Sequence, residues 1–305
     1  MSLTAFVLSA LTMIALTQDS RVWRDPSTHR VQFVAVADGV RLEVLDWRGS
    51  GRPIVLLAGS GNTAHVFDGF AEKLTGSGRV YGITRRGYGL STHPVWGYDD
   101  QTLADDVLRV LNSLGIKKPV LVGHSMAGGE LTTLGNQHSD RLAGLVYLDA
   151  LGDPRDWPAS DPAYLELFRK LPEAMRTPRP GDIPLPESER RTQYGYRSTQ
   201  TIQDAIGAGQ KKRDYSNIRV PVLAFFEFPR PTPPPGYQPK NDEEWTAIKA
   251  YNNATVPYVE RWVKNLKSGV PEAKIVDLPE AGHFVFLTKE ADVLRELRAF
   301  VAGLP

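Results

Sequence analysis

The sequence predicts an α/β protein built on a mostly parallel, doubly wound sheet, with helices on both faces and a separate helical segment. Short β-branched runs alternate along the chain with stretches of helical period, as in strand–helix–strand units with right-handed crossovers. At 305 residues, with 41% hydrophobic and 23% charged residues, the chain is long enough to bury one large core. These observations favour one elaborated α/β domain over two independent ones.

The predicted sheet begins with an antiparallel hairpin. Residues 31–36 and 40–45 alternate apolar and polar side chains around a turn at 37–39. Strand-like and helix-like stretches then alternate to the end of the chain. The later predicted strands are 53–57, 119–122, 145–148, 220–226 and 273–278; a helix is marked by Leu103, Val107, Leu108, Leu111 and Leu114, and a final helix has Val293, Leu294, Leu297, Phe300 and Val301 on one face.

Residues 123–128, with the sequence GHSMAG, place a serine where the strand 119–122 runs into a helix. A serine at such a turn needs a strained backbone, and the small residues Gly123 and Ala127 leave room for it. Ser125 Oγ then stands above the carboxyl edge of the sheet, and the N–H of Met126 points towards a developing oxyanion. The alternative is an ordinary serine that caps a helix. We interpret Ser125 as a nucleophile.

A serine nucleophile needs a base, and the chain has six histidines. His283 follows the strand 273–278 and precedes the final helix, so its loop lies over the same sheet edge as Ser125. His124 adjoins the serine, and its side chain is expected to point elsewhere. The other four histidines occupy a polar N-terminal stretch, loops and a helix end (His29, His65, His93 and His138). His283 is therefore the predicted base.

With these motifs the chain resembles the α/β-hydrolase family over nearly its whole length. Residues 53–62 (PIVLLAGSGN) look like the family's third strand and oxyanion loop, and residues 83–91 (ITRRGYGLS) resemble its glycine-rich turn after the fourth strand. The resemblance implies that the second oxyanion donor is the N–H of Ser60. Ala58 departs from the pattern, because many members carry a histidine there.

The carboxylate partner of His283 has two candidates. In the commonest family arrangement the acid follows the seventh strand, where this chain has Glu227 but no aspartate at the expected distance. Some relatives place it after the sixth strand, where this chain has Asp149. A carboxylate at that edge would fix the imidazole tautomer and stabilise the imidazolium. Asp149 is the first choice and Glu227 the runner-up, while Asp153 is interpreted as a turn residue before Pro154.

Charge and composition exclude several other classes of function. The net charge of +1 indicates no strong field for nucleic acid or an anionic membrane. The absence of cysteine excludes disulfides, a cysteine nucleophile and thiolate metal sites. The histidines show no metal-ligand spacing, so we predict neither a metal nor a cofactor. The basic run 211–213 is interpreted as a solvated helix end. Oligomeric state has no signature in the sequence.

The resemblance divides the chain into a core, 18–150 and 218–305, and a cap inserted at 151–217. Six aromatic or apolar residues of the cap are available to face the site, or to pack the cap onto the core (Trp157, Tyr164, Leu165, Phe168, Tyr194 and Tyr196). The proline-rich stretch 229–237 is expected to form a stiff loop at the entrance, with a simple spacer or a partner ligand as alternatives.

The first 17 residues are predominantly apolar from Leu3 to Leu16 and end at a small-x-small site, which indicates a signal peptide and export. The run is short for a bilayer span and lacks a basic n-region, so no integral span is expected. A buried or tethering N-terminal helix, in a cytoplasmic or membrane-attached protein, is the alternative.

The predicted function is a serine hydrolase that cleaves a carboxylic ester of a small to medium, moderately apolar substrate through an acyl-enzyme. Other serine-dependent chemistry on the same scaffold is the first alternative: cofactor-free perhydrolase or haloperoxidase activity, C–C bond hydrolysis or a lyase reaction. A non-catalytic ligand-binding module is the second. Ser125 argues against epoxide hydrolase and haloalkane dehalogenase chemistry, which resemble cases with an aspartate nucleophile.

Overall fold

The computed structural model describes residues 26–156, 161–176, 185–195, 198–233 and 237–305, without the side chains of 192–195. The predicted signal peptide at 1–17 lies outside the described residues. So do Trp157, Tyr196 and the side chain of Tyr194, three of the residues expected to face the site.

One eight-stranded sheet forms the centre of the molecule. Its strands are β1 (Arg30–Ala37), β2 (Val40–Arg48), β3 (Pro53–Leu57), β4 (Arg79–Ile83), β5 (Val120–His124), β6 (Gly144–Leu148), β7 (Val222–Phe226) and β8 (Lys274–Asp277). The order across the sheet is β1-β2-β4-β3-β5-β6-β7-β8. β2 is antiparallel to β1 and β4, and the pairs from β4 to β8 are parallel. The predicted mostly parallel sheet with an N-terminal hairpin is confirmed.

Ten α-helices connect and flank these strands among the described residues. They are α1 (Asp68–Leu74), α2 (Asp100–Ser113), α3 (Gly128–His138), α4 (Pro162–Lys170), α5 (Glu173–Arg176), α6 (Glu187–Gly195), α7 (Gln200–Gly209), α8 (Asp242–Gly269), α9 (Val285–Thr288) and α10 (Glu290–Gly303). Within the described ranges, no helix is both long enough and apolar enough to cross a membrane.

Apolar side chains cover both faces of the sheet. Successive residues of a strand point to opposite faces, so Leu121 of β5 belongs to one buried cluster and Val122 to the other. The first cluster includes α2, α3 and α8, and the second includes α1 and α10. The predicted face of the final helix is buried in the second cluster, with Leu297 fully inaccessible. The predicted doubly wound arrangement is confirmed.

The parallel strands end in register at one edge of the sheet. His124 at the end of β5 pairs with Leu148 of β6, and Leu148 pairs with Phe225 of β7. The residues that follow these strands therefore emerge side by side. This register places Ser125 and Asp149 next to each other although 24 positions separate them in the sequence.

The 28-residue helix α8 has no counterpart among the predicted elements. Asn241 caps its first turn by accepting a hydrogen bond from the N–H of Glu244, and the acidic first turn suits the helix dipole. Pro257 lies inside the helix and interrupts the sequence pattern by which helices are recognised. Its buried residues, including Trp262 and Leu266, hold α8 against the sheet.

The basic run 211–213 is not wholly solvated, so that interpretation was wrong for Arg213. Arg213 is 4% exposed, and its Nη1 lies 3.4 Å from a carboxylate oxygen of Asp100. Its main-chain N–H donates to Asp153, 3.1 Å away. The chain turns inwards after α7 because these two buried carboxylates offer Arg213 acceptors in the interior.

Candidate active site

Ser125 sits in the strained turn that the small residues around it were expected to permit. Its φ is +55°, in the left-handed region that non-glycine residues rarely adopt. A Cβ on Gly123 would lie 2.6 Å from a methyl carbon of Leu131, and one on Gly128 would lie 2.0 Å from the carbonyl oxygen of Ala150. Packing against main chain therefore requires glycine at position 128, whereas a side chain at position 123 would displace the Leu131 side chain.

The imidazole of His283 connects Ser125 to a carboxylate. His283 Nε2 lies 2.9 Å from Ser125 Oγ, and His283 Nδ1 lies 2.6 Å from Asp149 Oδ2. The ring is carried by the loop between β8 and α9, at the same sheet edge as the serine. The structure thus brings the predicted nucleophile, base and first-choice acid into one hydrogen-bonded chain.

The environment of His283 changes its affinity for a proton. Burial lowers the pKa of His283, but the hydrogen bond that its Nδ1–H donates to Asp149 and the negative charge of Asp149 outweigh burial, so the pKa lies above its ordinary value. The side chain is still 50% exposed on its open side. The imidazolium formed by proton transfer from a serine is therefore stabilised in place.

Asp149 is held by the sheet. It follows β6 with a φ of +46°, and its main-chain N–H donates to the carbonyl of Phe225 on β7 at 2.9 Å. Its side chain is only 16% exposed. A carboxylate fixed in this way presents one oxygen to the ring of His283 in a defined direction.

Glu227, the runner-up acid, accepts hydrogen bonds from the main chain of the loop that carries the histidine. The N–H groups of Glu280 and Gly282 lie 3.1 and 2.5 Å from its two carboxylate oxygens. Burial raises the pKa of Glu227, the two main-chain N–H groups lower it, and the nearby charge of Asp149 raises it again, with a net increase. Glu227 shapes the loop before His283.

His124 is the neighbour of Ser125 that sequence reasoning set aside. Its ring is buried and lies 4.6 Å from the ring of His283, and its Nε2–H donates to the main-chain carbonyl of His283 at 2.9 Å. Burial, followed by the charge of His283, lowers the pKa of His124 to about 3, so the ring stays neutral. No local sequence signal could have shown this contact, which joins residues 159 positions apart.

The loop after β3 passes directly behind the serine. A Cβ on Gly59 would lie 3.0 Å from Ser125 Cβ, so the main chain of the loop approaches the turn closely. The carbonyl of Ala58 accepts a hydrogen bond from Arg85 Nη2 at 2.9 Å, and Arg85 is paired through two hydrogen bonds with Glu130. This contact supplies an anchor at the position where Ala58 replaces the family's histidine. Ser60 follows Gly59 and is exposed.

A cavity of about 470 Å³ opens over Ser125 and His283. Its wall is largely apolar and is built mainly from α8 and from the residues after β7. Residues from those two elements that line it include Tyr251, Asn252, Thr255, Val259 and Trp262 of α8, and Pro229, Arg230, Thr232 and Pro233 of the proline-rich stretch. That stretch was predicted to form the entrance, and its described part does line the cavity.

Of the aromatic residues of 151–217 that were expected to face the site, the described ones, Tyr164 and Phe168, pack against α8. Tyr164 is buried against Tyr251 and Tyr258 of α8, with ring centroids 5.1 and 6.0 Å away. Phe168 also packs against Tyr251. For these two residues the contacts support the alternative expectation, that the side chains pack the segment onto the rest of the molecule. Among the described residues of helices α4–α7, only Met175 lines the cavity.

A second polar cluster lies apart from the serine. His29, His65 and Asp68 offer ligand atoms within 4.8 Å of one another, an arrangement that sequence spacing did not reveal. The Asp68 carboxylate already accepts hydrogen bonds from both rings, from Trp47 Nε1 and from Ser188 Oγ. Burial raises the pKa of Asp68, but these hydrogen bonds lower it far below its ordinary value. The donors indicate a structural hydrogen-bond network around a carboxylate.

Comparisons with known proteins agree with this architecture. A family model described as the alpha/beta hydrolase family matches residues 54–296. The non-heme chloroperoxidase CPO-A1 of Kitasatospora aureofaciens is 39% identical over 117 residues, 37% of this chain and 42% of that protein. The putative carbamate hydrolase RutD of Caulobacter segnis is 33% identical over 134 residues, 43% of this chain and 48% of that protein. The matched regions thus span about half the length of these relatives or less.

Solved structures with low sequence identity share the fold. The esterase of Exiguobacterium antarcticum superposes with a TM-score of 0.63 at 20% identity, and the superposition covers 90% of this chain and all of the esterase.

Proposed function

The chain belongs to the alpha/beta hydrolase family, and on that premise we propose that it is a serine hydrolase acting on carboxylic esters through an acyl-enzyme. The observation that carries the proposal is the hydrogen-bonded chain from Ser125 through His283 to Asp149, with its serine end open to the cavity. A serine oxygen that borders a cavity and lies 2.9 Å from an imidazole nitrogen has the geometry of an activated nucleophile.

The reaction proceeds in two halves. His283 Nε2 takes the proton from Ser125 Oγ as the oxygen attacks the acyl carbon, and Asp149 stabilises the imidazolium. The N–H groups of Met126 and Ser60 hold the oxyanion. The imidazolium then protonates the leaving alcohol. Water, activated by the same histidine, attacks the acyl-enzyme and releases the acid with Ser125 restored.

The size and lining of the cavity support the proposal of a small to medium, moderately apolar substrate. Its volume lies within the range of small-molecule pockets, and apolar side chains of α8 form much of its wall. Charged residues among its lining, including Asp153 and Arg230, suit a substrate with one polar end. We place the acyl or alcohol chain against α8.

Covalent labelling tests the nucleophile. A fluorophosphonate probe is expected to label the wild-type protein and to leave folded Ser125→Ala unlabelled. A panel of p-nitrophenyl esters and lactones is expected to be hydrolysed by the wild type alone. Absence of labelling in protein shown to be folded would contradict the proposal and would favour a ligand-binding module.

A second candidate activity comes from the relative named as a non-heme chloroperoxidase. On the same acyl-enzyme, hydrogen peroxide in place of water would give a peracid, with the acyl–serine bond broken and the proton returned through His283. The same ester panel, with and without peroxide and with a peracid-trapping halide assay, separates the two activities. Peroxide-dependent halogenation that requires Ser125 would favour this alternative.

We also propose that residues 151–217 form a cap and that residues 1–17 direct export. The helices α4–α7 lie between β6 and β7 in the chain, as an insertion would. Sequencing the N-terminus of the protein recovered from its native host tests the second proposal, which predicts a mature chain that starts near Gln18.

A further inference from the structure

Helix α6 of the 151–217 segment places a buried carboxylate against the loop that follows β3. Glu189 is completely inaccessible to solvent. Its Oε1 accepts hydrogen bonds at 3.0 Å from Asn62 Nδ2 and from the main-chain N–H of Thr63. Its Oε2 accepts from the Thr63 hydroxyl and lies 3.2 Å from the same main-chain nitrogen. Both oxygens are therefore bound to one short piece of the loop.

The chemistry of this contact is unusual for a helix that merely covers a core. Removing a carboxylate from water is costly unless hydrogen bonds replace its hydration. Here the replacements come from two consecutive residues of the loop, 126 and 127 positions earlier in the chain. Burial raises the pKa of Glu189, and the hydrogen bonds from Thr63 and Asn62 lower it, with a net increase. An apolar residue at this position would leave the buried donors of Asn62 and Thr63 without this acceptor.

The loop that Glu189 contacts is held at two points, with the residues beside the serine between them. Before those residues, the carbonyl of Ala58 is held by Arg85. After them, Asn62 and Thr63 are held by Glu189. The intervening residues, 59–61, include Gly59, which packs against the Ser125 turn, and Ser60, which carries the proposed oxyanion donor. A displacement at either point would move the Ser60 N–H.

We propose that Glu189 is a positioning residue that holds the loop 59–63 so that the Ser60 N–H faces the oxyanion. This inference rests on the proposed ester hydrolysis. It assigns α6 a part in the reaction, since the helix docks and the loop is aligned through the same hydrogen bonds. The reacting atoms themselves do not touch Glu189.

Substitution of Glu189 tests whether this residue positions the loop 59–63 or only docks helix α6. Glu189→Gln keeps one acceptor oxygen, and Glu189→Ala keeps none. Because a donor lost from an oxyanion hole costs ~10²–10³ in rate and a misplaced one costs less, we expect kcat to fall roughly 10- to 100-fold in Glu189→Ala and by less in Glu189→Gln. KM for p-nitrophenyl acetate should stay within about threefold, because ground-state binding does not use the charge that develops on the oxyanion.

A matched control lies on the same helix. Glu187 is 52% exposed and pairs with Arg191 one turn away, so Glu187→Gln should leave kcat within about twofold of the wild type. If Glu189→Ala does not fold, Glu189→Gln and Asn62→Ala test the contact from its two sides, and both should lower kcat. Melting temperatures are measured for every variant.

Inhibition by a trifluoromethyl ketone gives a second measurement, which would not change if Glu189 only docked helix α6. The ketone forms a charged tetrahedral adduct with Ser125, so its Ki should rise in the Glu189 variants in proportion to the loss in kcat/KM. If folded Glu189→Ala keeps the wild-type kcat, the inference is overturned. It is also overturned if the substitution changes only KM, and by the same factor for acetate and for longer esters.

The results for the wild type distinguish a failure of the Glu189 proposal from a failure of the ester hydrolase proposal. Wild-type turnover with no effect of Glu189→Ala contradicts the positioning role and leaves ester hydrolysis standing. If the wild type is labelled by the fluorophosphonate but cleaves no ester, the labelling rate of Glu189→Ala replaces kcat and should fall by a similar factor. A wild type that is neither labelled nor active overturns both proposals.

Discussion

At the scale of single residues, the site depends on the different surroundings of two carboxylates at neighbouring strand ends. Asp149 binds the imidazole of His283, and Glu227 binds main-chain N–H groups of the loop that carries it. One carboxylate therefore acts on the ring and the other on the position of the ring. Substitutions that keep the shape of each side chain distinguish these roles.

We expect Asp149→Asn to lower kcat by ~10³–10⁴, because the imidazolium loses its charge partner and the tautomer is no longer fixed. Glu227→Gln should lower kcat by roughly tenfold or less, since its amide still accepts one of the two main-chain hydrogen bonds. Steady-state kinetics of both variants on one ester, with circular dichroism to verify folding, provides the comparison. A collapse in Glu227→Gln alone would show that the acid is Glu227.

The pH dependence of kcat/KM reports the protonation of His283 in the free enzyme. The ring must be neutral to accept the serine proton, and Asp149 keeps its pKa above the ordinary value of 6.5. Activity is therefore expected to rise with pH with a midpoint above 6.5. In Asp149→Asn only the effect of burial remains, so the midpoint of the residual activity should shift to lower pH. A wild-type midpoint at or below 6.5, or an unshifted variant, would contradict this account.

At the scale of elements, the serine turn is determined by how closely α3 approaches the end of β6. Gly128 begins α3 where a Cβ would collide with the carbonyl of Ala150. The main-chain oxygen of Ala150, two residues after a central strand, cannot move aside as a flexible side chain can. The geometry of the turn at Ser125 therefore depends on a glycine three residues after the serine.

Gly128→Ala is expected to lower the free energy of unfolding by about 1–3 kcal/mol through overpacking, and to reduce kcat because the turn must shift. Gly207→Ala is the control: Gly207 lies in α7 with no atom near the added carbon, so alanine should stabilise the protein by about 0.5–1 kcal/mol and leave kcat unchanged. Urea unfolding and ester kinetics measure both. Equal stability of the two variants would refute the close approach.

At the scale of the whole molecule, the cavity is shaped by elements that are distant in sequence. The serine comes from the middle of the chain and the apolar wall comes from α8, more than 100 residues later. Asn252 of α8 also donates hydrogen bonds to the carbonyls of Arg230 and Thr232, which ties the proline-rich stretch to the helix. The size of substrate that fits is thus a property of how α8 packs.

Thr255→Leu should narrow the cavity from the α8 side. Because one or two methylene groups in an apolar pocket change discrimination by about 10–200-fold, kcat/KM for p-nitrophenyl octanoate should fall at least tenfold relative to acetate. Acetate serves as the internal control, since it need not extend to α8. An equal loss for both esters would mean that the chain does not lie against this helix.

Much of the fold and part of the site could be predicted because their signals are local. The strand before Ser125, the small residues around it and the histidine after the last strand are short patterns in neighbouring positions. The parallel register then brings Ser125 and Asp149 to one edge, which is a general property of such sheets. α8 was missed because Pro257 and its polar residues break the local pattern, and the burial of Arg213 was missed because its acceptors are remote.

By itself the sequence determined the α/β class, the strained turn at Ser125 and the position of His283 in the loop after the last strand, because backbone sterics and the order of strands act over a few residues. Only the tertiary structure decided that Asp149 rather than Glu227 contacts the imidazole, that α8 lines the cavity, and that Glu189 reaches the loop after β3. Those outcomes depend on which side chains burial brings together across 100 or more positions. Where the sequence offers two candidate partners, as Asp149 and Glu227 for His283, the hydrogen bonds formed by buried groups in the folded chain decide between them.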